Sequence, residues 1–278
     1  MRTFRSLLSV IKISRTLTAP QITNYQGSRK CMSSMSLRGQ RCLITGGSRG
    51  IGFAIASKFA SEGATCVIVG RSAETAESAC KQLDTQAGQV HSAVQFDVSS
   101  CQRVWTPDDL GGMSLQSIDI LVNAAGISQQ KLLCFTSPDE IDKIIFTNLL
   151  GTIYACRSFS RAMMGKKTDS CIINISSVLA SRAARGSSIY AASKAGVEGL
   201  TAALATELGP RNVRVNAIRP GLIDTDMVSA VQRDGFLPQV PLARLGTPSE
   251  VADTALFLVQ NKFCNGTILS IDGGFSTS

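Results

Sequence analysis

Arg41-Cys42-Leu43-Ile44-Thr45-Gly46-Gly47-Ser48-Arg49-Gly50-Ile51-Gly52 reads as a short apolar strand that breaks into glycines. Behind it Phe53, Ile55, Ala56 and Phe59 recur at the spacing of one helix face, so the order is strand, glycine turn, helix. Glycine lets the chain turn sharply and approach a pyrophosphate, while free N–H groups at a helix start favour the anion. A glycine cluster alone carries little. Between a strand and a helix it points to a dinucleotide-binding unit. The next strand candidate, 65–69, runs into Gly70 and Arg71 where an acid would accept a hydrogen bond from a ribose 2′-hydroxyl. Arg71 and Arg49 instead offer two cations to a 2′-phosphate, which favours NADP(H) over NAD(H).

Outward from this unit, further strand candidates at 91–96, 119–122, 171–175, 213–218 and 267–271 alternate with helical patterns. That alternation predicts an α/β fold with a doubly wound parallel sheet, Rossmann-like, of about seven strands. The 37–278 segment is long enough for one large core, and no linker or repeat divides it, so it is read as a single domain. Between 101 and 112 a proline and paired glycines oppose a continuous helix, so a short irregular one is expected there.

Tyr190 and Lys194 stand four residues apart in a helical stretch, with Ser177 thirteen residues upstream at the end of an apolar run. Residues at this spacing share a helix face, so the Lys194 ammonium is expected to favour the Tyr190 phenolate and lower the phenol's pKa. Ser177 would add a hydroxyl donor for a substrate oxygen. Any isolated Tyr-x-x-x-Lys is more often a half-buried aromatic beside a solvated lysine. The glycine unit upstream is what favours the chemical reading.

Together these segments resemble the short-chain dehydrogenase/reductase family over nearly all of 38–278. The resemblance implies that Gly46, Gly47, Ser48, Arg49, Gly50, Ile51 and Gly52 form the cofactor loop and that Asp97 and Val98 meet the adenine. It implies that Asn123, Ala124, Ala125 and Gly126 support the sheet beside the nicotinamide, and that Pro220, Gly221, Ile223 and Thr225 close on its carboxamide. Ser177, Tyr190 and Lys194 fall at the family's catalytic positions, and Asn148 at the one that holds a water in a proton relay with the lysine. Tyr190 and Lys194 also count among the cofactor contacts. Within the family, Gly126-Ile127 with Leu132-Leu133, and Pro241-Leu242 with Arg244-Leu245-Gly246, look most like the 3-oxoacyl-[acyl carrier protein] reductases. Carbonyl, quinone and hydroxysteroid reductases share most of these segments. The likeness implies NADPH-dependent reduction of a substrate linked to acyl carrier protein, with Arg211 docking the acidic carrier and Lys166 and Lys167 extending the basic patch. A solvated helix end is an equally good account of those cations. The apolar 227–241 segment, with Phe236 and Leu237, is expected to cover the substrate, and helices near 139–164 and 187–208 to carry the faces of a homo- or hetero-tetramer. A structural subunit with little turnover of its own is the second hypothesis. The intact Ser177, Tyr190, Lys194 and Asn148 oppose it.

The first forty residues contain Arg2, Arg5, Lys12, Arg15, Arg29, Lys30 and Arg38 and no Asp or Glu. With these seven set aside, the 28 basic residues of the chain fall to 21 against 20 acidic ones. Phe4, Leu7, Leu8 and Ile11 form an apolar helical stripe between cations, so 1–36 is read as a targeting segment and the mitochondrial matrix as the destination. The near-neutral remainder gives no reason to expect nucleic acid binding. No run is long enough for a membrane span. The nine cysteines lack any C-x-x-C pair and His91 is the only histidine, so no metal site is expected and the thiols read as reduced. Gly46-Gly47-Ser48-Arg49-Gly50 also fits the G-x-S-x-G elbow of a hydrolase, but that reading needs a histidine late in the chain. The glycosylation patterns at Asn174 and Asn265 are taken as accidental.

Overall fold

The computed structural model describes residues 36–100, 104–166, 168–182, 184–228 and 235–277. The targeting segment expected over 1–36 lies outside them except for Ser36, as do Cys31, Cys101, Lys167 and residues 229–234 of the expected substrate cover. Seven strands form one parallel sheet in the order β3-β2-β1-β4-β5-β6-β7. They are β1 (Arg41–Thr45), β2 (Thr65–Gly70), β3 (Ser92–Gln95), β4 (Ile120–Asn123), β5 (Ser170–Ile175), β6 (Val213–Pro220) and β7 (Ile268–Ile271). Chain order reverses direction between β1 and β4. Such a switch point opens a crevice at the carboxyl ends of the strands.

The apolar runs form strands because helices cover both faces of the sheet. Cys42 and Ile44 of β1 point to one core and Leu43 to the other, the period-two alternation of a strand. On the first face pack α1 (Gly50–Ser61) and α6 (Pro248–Gln260), around Phe59, Ile55 and Val251. On the second lies the run from α3 (Pro138–Ile145) through a π turn, Phe146–Leu150, into α4 (Gly151–Met163), beside α5 (Ser188–Leu208). The remaining α2 (Ala73–Cys80) packs on β2 and β3. Helix starts follow local chemistry. Ser137 and Glu140 form a capping box on α3, as Thr247 and Glu250 do on α6, each with proline at the first turn.

The expected irregular helix is a 3-10 turn, Asp108–Leu110, closed by Gly111 and Gly112 at positive φ. Its flank is nevertheless firmly packed. Trp105 is buried, with its ring 4.0 Å from Phe96 and 5.5 Å from Phe159 between centroids. His91 directly precedes β3, where Nδ1 accepts from the Cys66 N–H at 3.0 Å and Nε2 donates to the Asp84 carbonyl at 2.9 Å. Asn174 is fully buried in β5, and both it and Asn265 spend their amides on internal hydrogen bonds.

Candidate active site

At the carboxyl ends of the strands lies a cleft of ≈ 530 Å³. Its floor is set by close backbone approach. Gly46 has φ +65°, and a Cβ there would sit 2.8 Å from the Ala125 backbone, while one on Gly52 would sit 2.3 Å from the Gly46 carbonyl oxygen. Thr45 Oγ1 holds this junction by accepting from the N–H groups of Ala124 (3.2 Å) and Ala125 (3.3 Å). Arg49 precedes α1 without a side-chain cap, and the first turn contains no acid. The helix therefore presents uncapped N–H groups and the positive end of its dipole to the cleft, which fits the pyrophosphate of a dinucleotide.

Of the cofactor residues expected from sequence, all line the cleft except Gly47 and Asn123. Gly47 packs toward Ile44 and Ile68, and Asn123 lies beneath the floor, donating to Asn174 Oδ1 at 2.8 Å. Arg71 and Arg49 both lie at the lining, with Arg49 3.5 Å from Asp226 in an exposed ion pair.

Ser177, Tyr190 and Lys194 converge on the same cleft from the loop after β5 and the first two turns of α5. Lys194 Nζ is buried, donates to the Ile175 carbonyl at 2.8 Å and lies 5.9 Å from the centre of the Tyr190 ring. The expected depression of the Tyr190 pKa is not found. Burial pushes the phenol up, and a hydrogen bond with Ser177 opposes that only in part. The cause is shared with Lys194, whose burial lowers it to about 8 and weakens it as a source of positive charge. In the protein alone Tyr190 is thus held protonated, the state a proton donor needs.

Asn148 does not line the cleft. It is fully buried in the π turn, where Oδ1 accepts from the Ile127 N–H at 2.9 Å. Its Nδ2 donates to the Ile127 carbonyl at 3.0 Å and to Ser193 Oγ at 3.1 Å. A Cβ on Gly126 would lie 3.4 Å from both Asn148 Oδ1 and Lys194 Nζ, so the two side chains flank that glycine. The π turn supplies the local re-aiming that brings an α-helical asparagine to this loop.

The other end of the cleft is apolar. Val178, Leu179, Leu222, Phe236 and Phe275 line it; Leu237 does not. Phe236 meets Phe275 edge to face, with centroids 6.0 Å apart. Sequence reasoning missed Phe275, which comes from the turn after β7 and is delivered only by the pairing of β7 with β6. It also missed Gln129, a buried polar residue in the lining with no motif to mark it.

The expected docking cations differ in their surroundings. Arg211 is exposed in the turn after α5. Lys166 is mostly buried and bound, 2.5 Å from Asp119 Oδ1 and 2.7 Å from the Ile118 carbonyl, because the chain after α4 folds back under the start of β4. Lys167 lies outside the described residues. Among the described residues no three His, Cys, Asp or Glu side chains gather as a metal site would require.

A family model described as Enoyl-(Acyl carrier protein) reductase matches residues 46–276. This chain belongs to the short-chain dehydrogenase/reductase family. The chain is an oxidoreductase by that membership, and relatives bear it out. It is 42% identical over 240 residues to a Chlamydia muridarum protein named 3-oxoacyl-[acyl-carrier-protein] reductase FabG, covering 84% of this chain and 96% of the relative. It is 37% identical over 232 residues to Carbonyl reductase family member 4 of Danio rerio, covering 84% and 96%. The structure of a gluconate 5-dehydrogenase of Burkholderia cenocepacia in complex with NADP and tartrate superposes with a TM-score of 0.80 at 30% identity, covering 88% of this chain and 98% of that one. The short-chain dehydrogenase/reductase fold thus accounts for the sheet order, the glycine loop and the converging Ser177, Tyr190 and Lys194.

Proposed function

We propose that this short-chain dehydrogenase/reductase uses NADPH to reduce a 3-oxoacyl thioester on acyl carrier protein to the 3-hydroxyacyl form, in fatty acid synthesis of the mitochondrial matrix. The observation that carries the reading is the Ser177–Tyr190–Lys194 group, its serine and lysine buried and its tyrosine half-buried, between a nucleotide-fitting glycine loop and an apolar pocket end. The nicotinamide, when bound, supplies a hydride to the carbonyl carbon. Tyr190 donates its phenolic proton to the carbonyl oxygen, and Ser177 donates a hydrogen bond to the same atom. As that oxygen gains negative charge both interactions strengthen, which is where the rate enhancement arises. Lys194 holds the ribose hydroxyls of the cofactor, and its ammonium favours the phenolate left behind. Asn148 keeps the Gly126–Ile127 loop against Lys194, and with a water completes the route that returns a proton to Tyr190.

Arg49 and Arg71 at the lining support a 2′-phosphate partner, as does the NADP named in the Burkholderia cenocepacia structure. The apolar wall of Leu179, Phe236 and Phe275 suits an acyl chain. Arg211 is the exposed cation offered to an acidic carrier, and the faces of α3–α4 and α5 are those of a tetramer. The basic, acid-free leader supports matrix targeting.

The likeness to Carbonyl reductase family member 4 favours a second reading, reduction of a free ketone or quinone. Rates of NADPH oxidation with acetoacetyl carrier protein, a steroid ketone and a quinone separate the two. The first reading expects a clear preference for the carrier-linked substrate, and expects Arg211→Glu to raise KM for it alone. Equal or better use of the quinone or steroid supports the second. No turnover with any of the three points to a structural subunit of a mixed tetramer.

A further inference from the structure

We infer that Gln129 is a positioning residue for Tyr190, holding the first turn of the helix that carries the phenol. The inference rests on the role given to Tyr190 above. Helix α5 starts at Ser188, and the preceding Ser187 does not cap it, since the Ser187 hydroxyl donates to the Ala184 carbonyl at 2.7 Å. The N–H groups of the second and third helical residues are those an N-cap side chain normally serves. Here they belong to Ile189 and Tyr190, and both donate to Gln129 Oε1, at 2.7 Å and 3.2 Å. A glutamine sixty residues upstream has taken the place of the local cap.

The other half of the amide is equally committed. Gln129 Nε2 donates to the Lys131 carbonyl at 3.0 Å and to Thr136 Oγ1 at 3.3 Å. With two donors and two acceptor sites all used, the side chain has nothing left to offer a ligand, although it borders the cleft. Its work is therefore geometric. It joins the loop after β4 to the backbone of Tyr190 itself, and loss of its oxygen leaves two half-buried N–H groups at the helix start without side-chain partners. A displacement of about 1 Å at a reacting group can cost about a hundredfold in rate.

The test compares full-length wild type, Gln129→Met and Gln129→Glu, with acetoacetyl-CoA as the ketone. Gln129→Met keeps the volume and removes the acceptor; Gln129→Glu keeps the acceptor. The inference expects Gln129→Met to lower kcat about ten- to a hundredfold, with KM for NADPH unchanged and the melting temperature down by a few degrees for the hydrogen bonds lost. It expects Gln129→Glu to recover part of that kcat, since its second oxygen no longer donates to the Lys131 carbonyl and Thr136 Oγ1. Amide hydrogen exchange at Ile189 and Tyr190 should accelerate in Gln129→Met only. Wild-type kcat and exchange in Gln129→Met would overturn the inference, as would kcat and KM moving together with no recovery in Gln129→Glu. Absence of ketone reduction by the wild type would instead remove the proposed function, and the exchange rates alone would then decide whether Gln129 holds the helix.

Discussion

Lys194 gives the site a pH signature that can be read without any substrate. Burial takes its amine from an ordinary 10.5 to about 8. Below pH 8 the lysine is protonated in both folded and unfolded chains, and the folded chain bears the full cost of a buried ammonium, about 3 kcal/mol at 1.36 kcal/mol per pH unit. Between 8 and 10.5 the unfolded chain binds more protons than the folded one, so this contribution makes stability rise with pH. Integrating from about pH 7 to about pH 9.5 gives a gain of about 2 kcal/mol, or about 1 M in the urea midpoint of a domain this size. Other groups titrate in the same window. The buried thiols of Cys66 and Cys156, pushed up to about 12, and of Cys171, pushed up to about 11, make stability fall as pH rises past the ordinary thiol range. They are common to wild type and Lys194→Met, so the difference between the two proteins isolates the lysine. Urea unfolding of both, without nucleotide, is the assay. Wild type should gain on Lys194→Met as pH rises. A difference that stays flat from pH 7 to 9.5 would refute the claim that burial governs this amine.

Trp105→Ala should cost about 3–5 kcal/mol of stability in denaturant unfolding, because it opens a cavity between Phe96 and Phe159. As Phe96 borders the cleft, KM for NADPH should rise while kcat holds; a variant as stable as wild type would contradict the packing described. Arg71→Ala should raise KM for NADPH about ten- to a hundredfold, the loss of a charge-assisted contact, and leave KM for NADH nearly unchanged. Equal changes for both cofactors would remove Arg71 from the 2′-phosphate.

The strands were legible because parallel strands covered on both faces must be apolar along their whole length. Candidates at 65–69 and 171–175 differ from Thr65–Gly70 and Ser170–Ile175 by one residue. Tyr190 and Lys194 were legible for a different reason: their spacing lies within one helix, and the turn after β5 packs Ser177 against that helix. What spacing does not contain is burial and long-range pairing. A Lys166-Lys167 pair looks the same in sequence whether solvated or, as for Lys166, bound to Asp119. Four residues on a helix say that Lys194 and Tyr190 share a face, not how deep the two groups lie, and burial of the phenol reversed the expected direction of its pKa. Gln129 and Phe275 reach the site through a loop and a chain end, where no periodicity points inward.

The central claim is that the Tyr190 phenol delivers the proton to a carbonyl oxygen while reduced nucleotide is bound beside it. Single-turnover NADPH oxidation by Tyr190→Phe, with NADPH affinity measured in parallel, tests it most directly. Turnover should fall about a hundred- to ten-thousandfold, the worth of a positioned general acid, with NADPH affinity within about twofold of wild type. A Tyr190→Phe enzyme that reduces its ketone at the wild-type rate would contradict it.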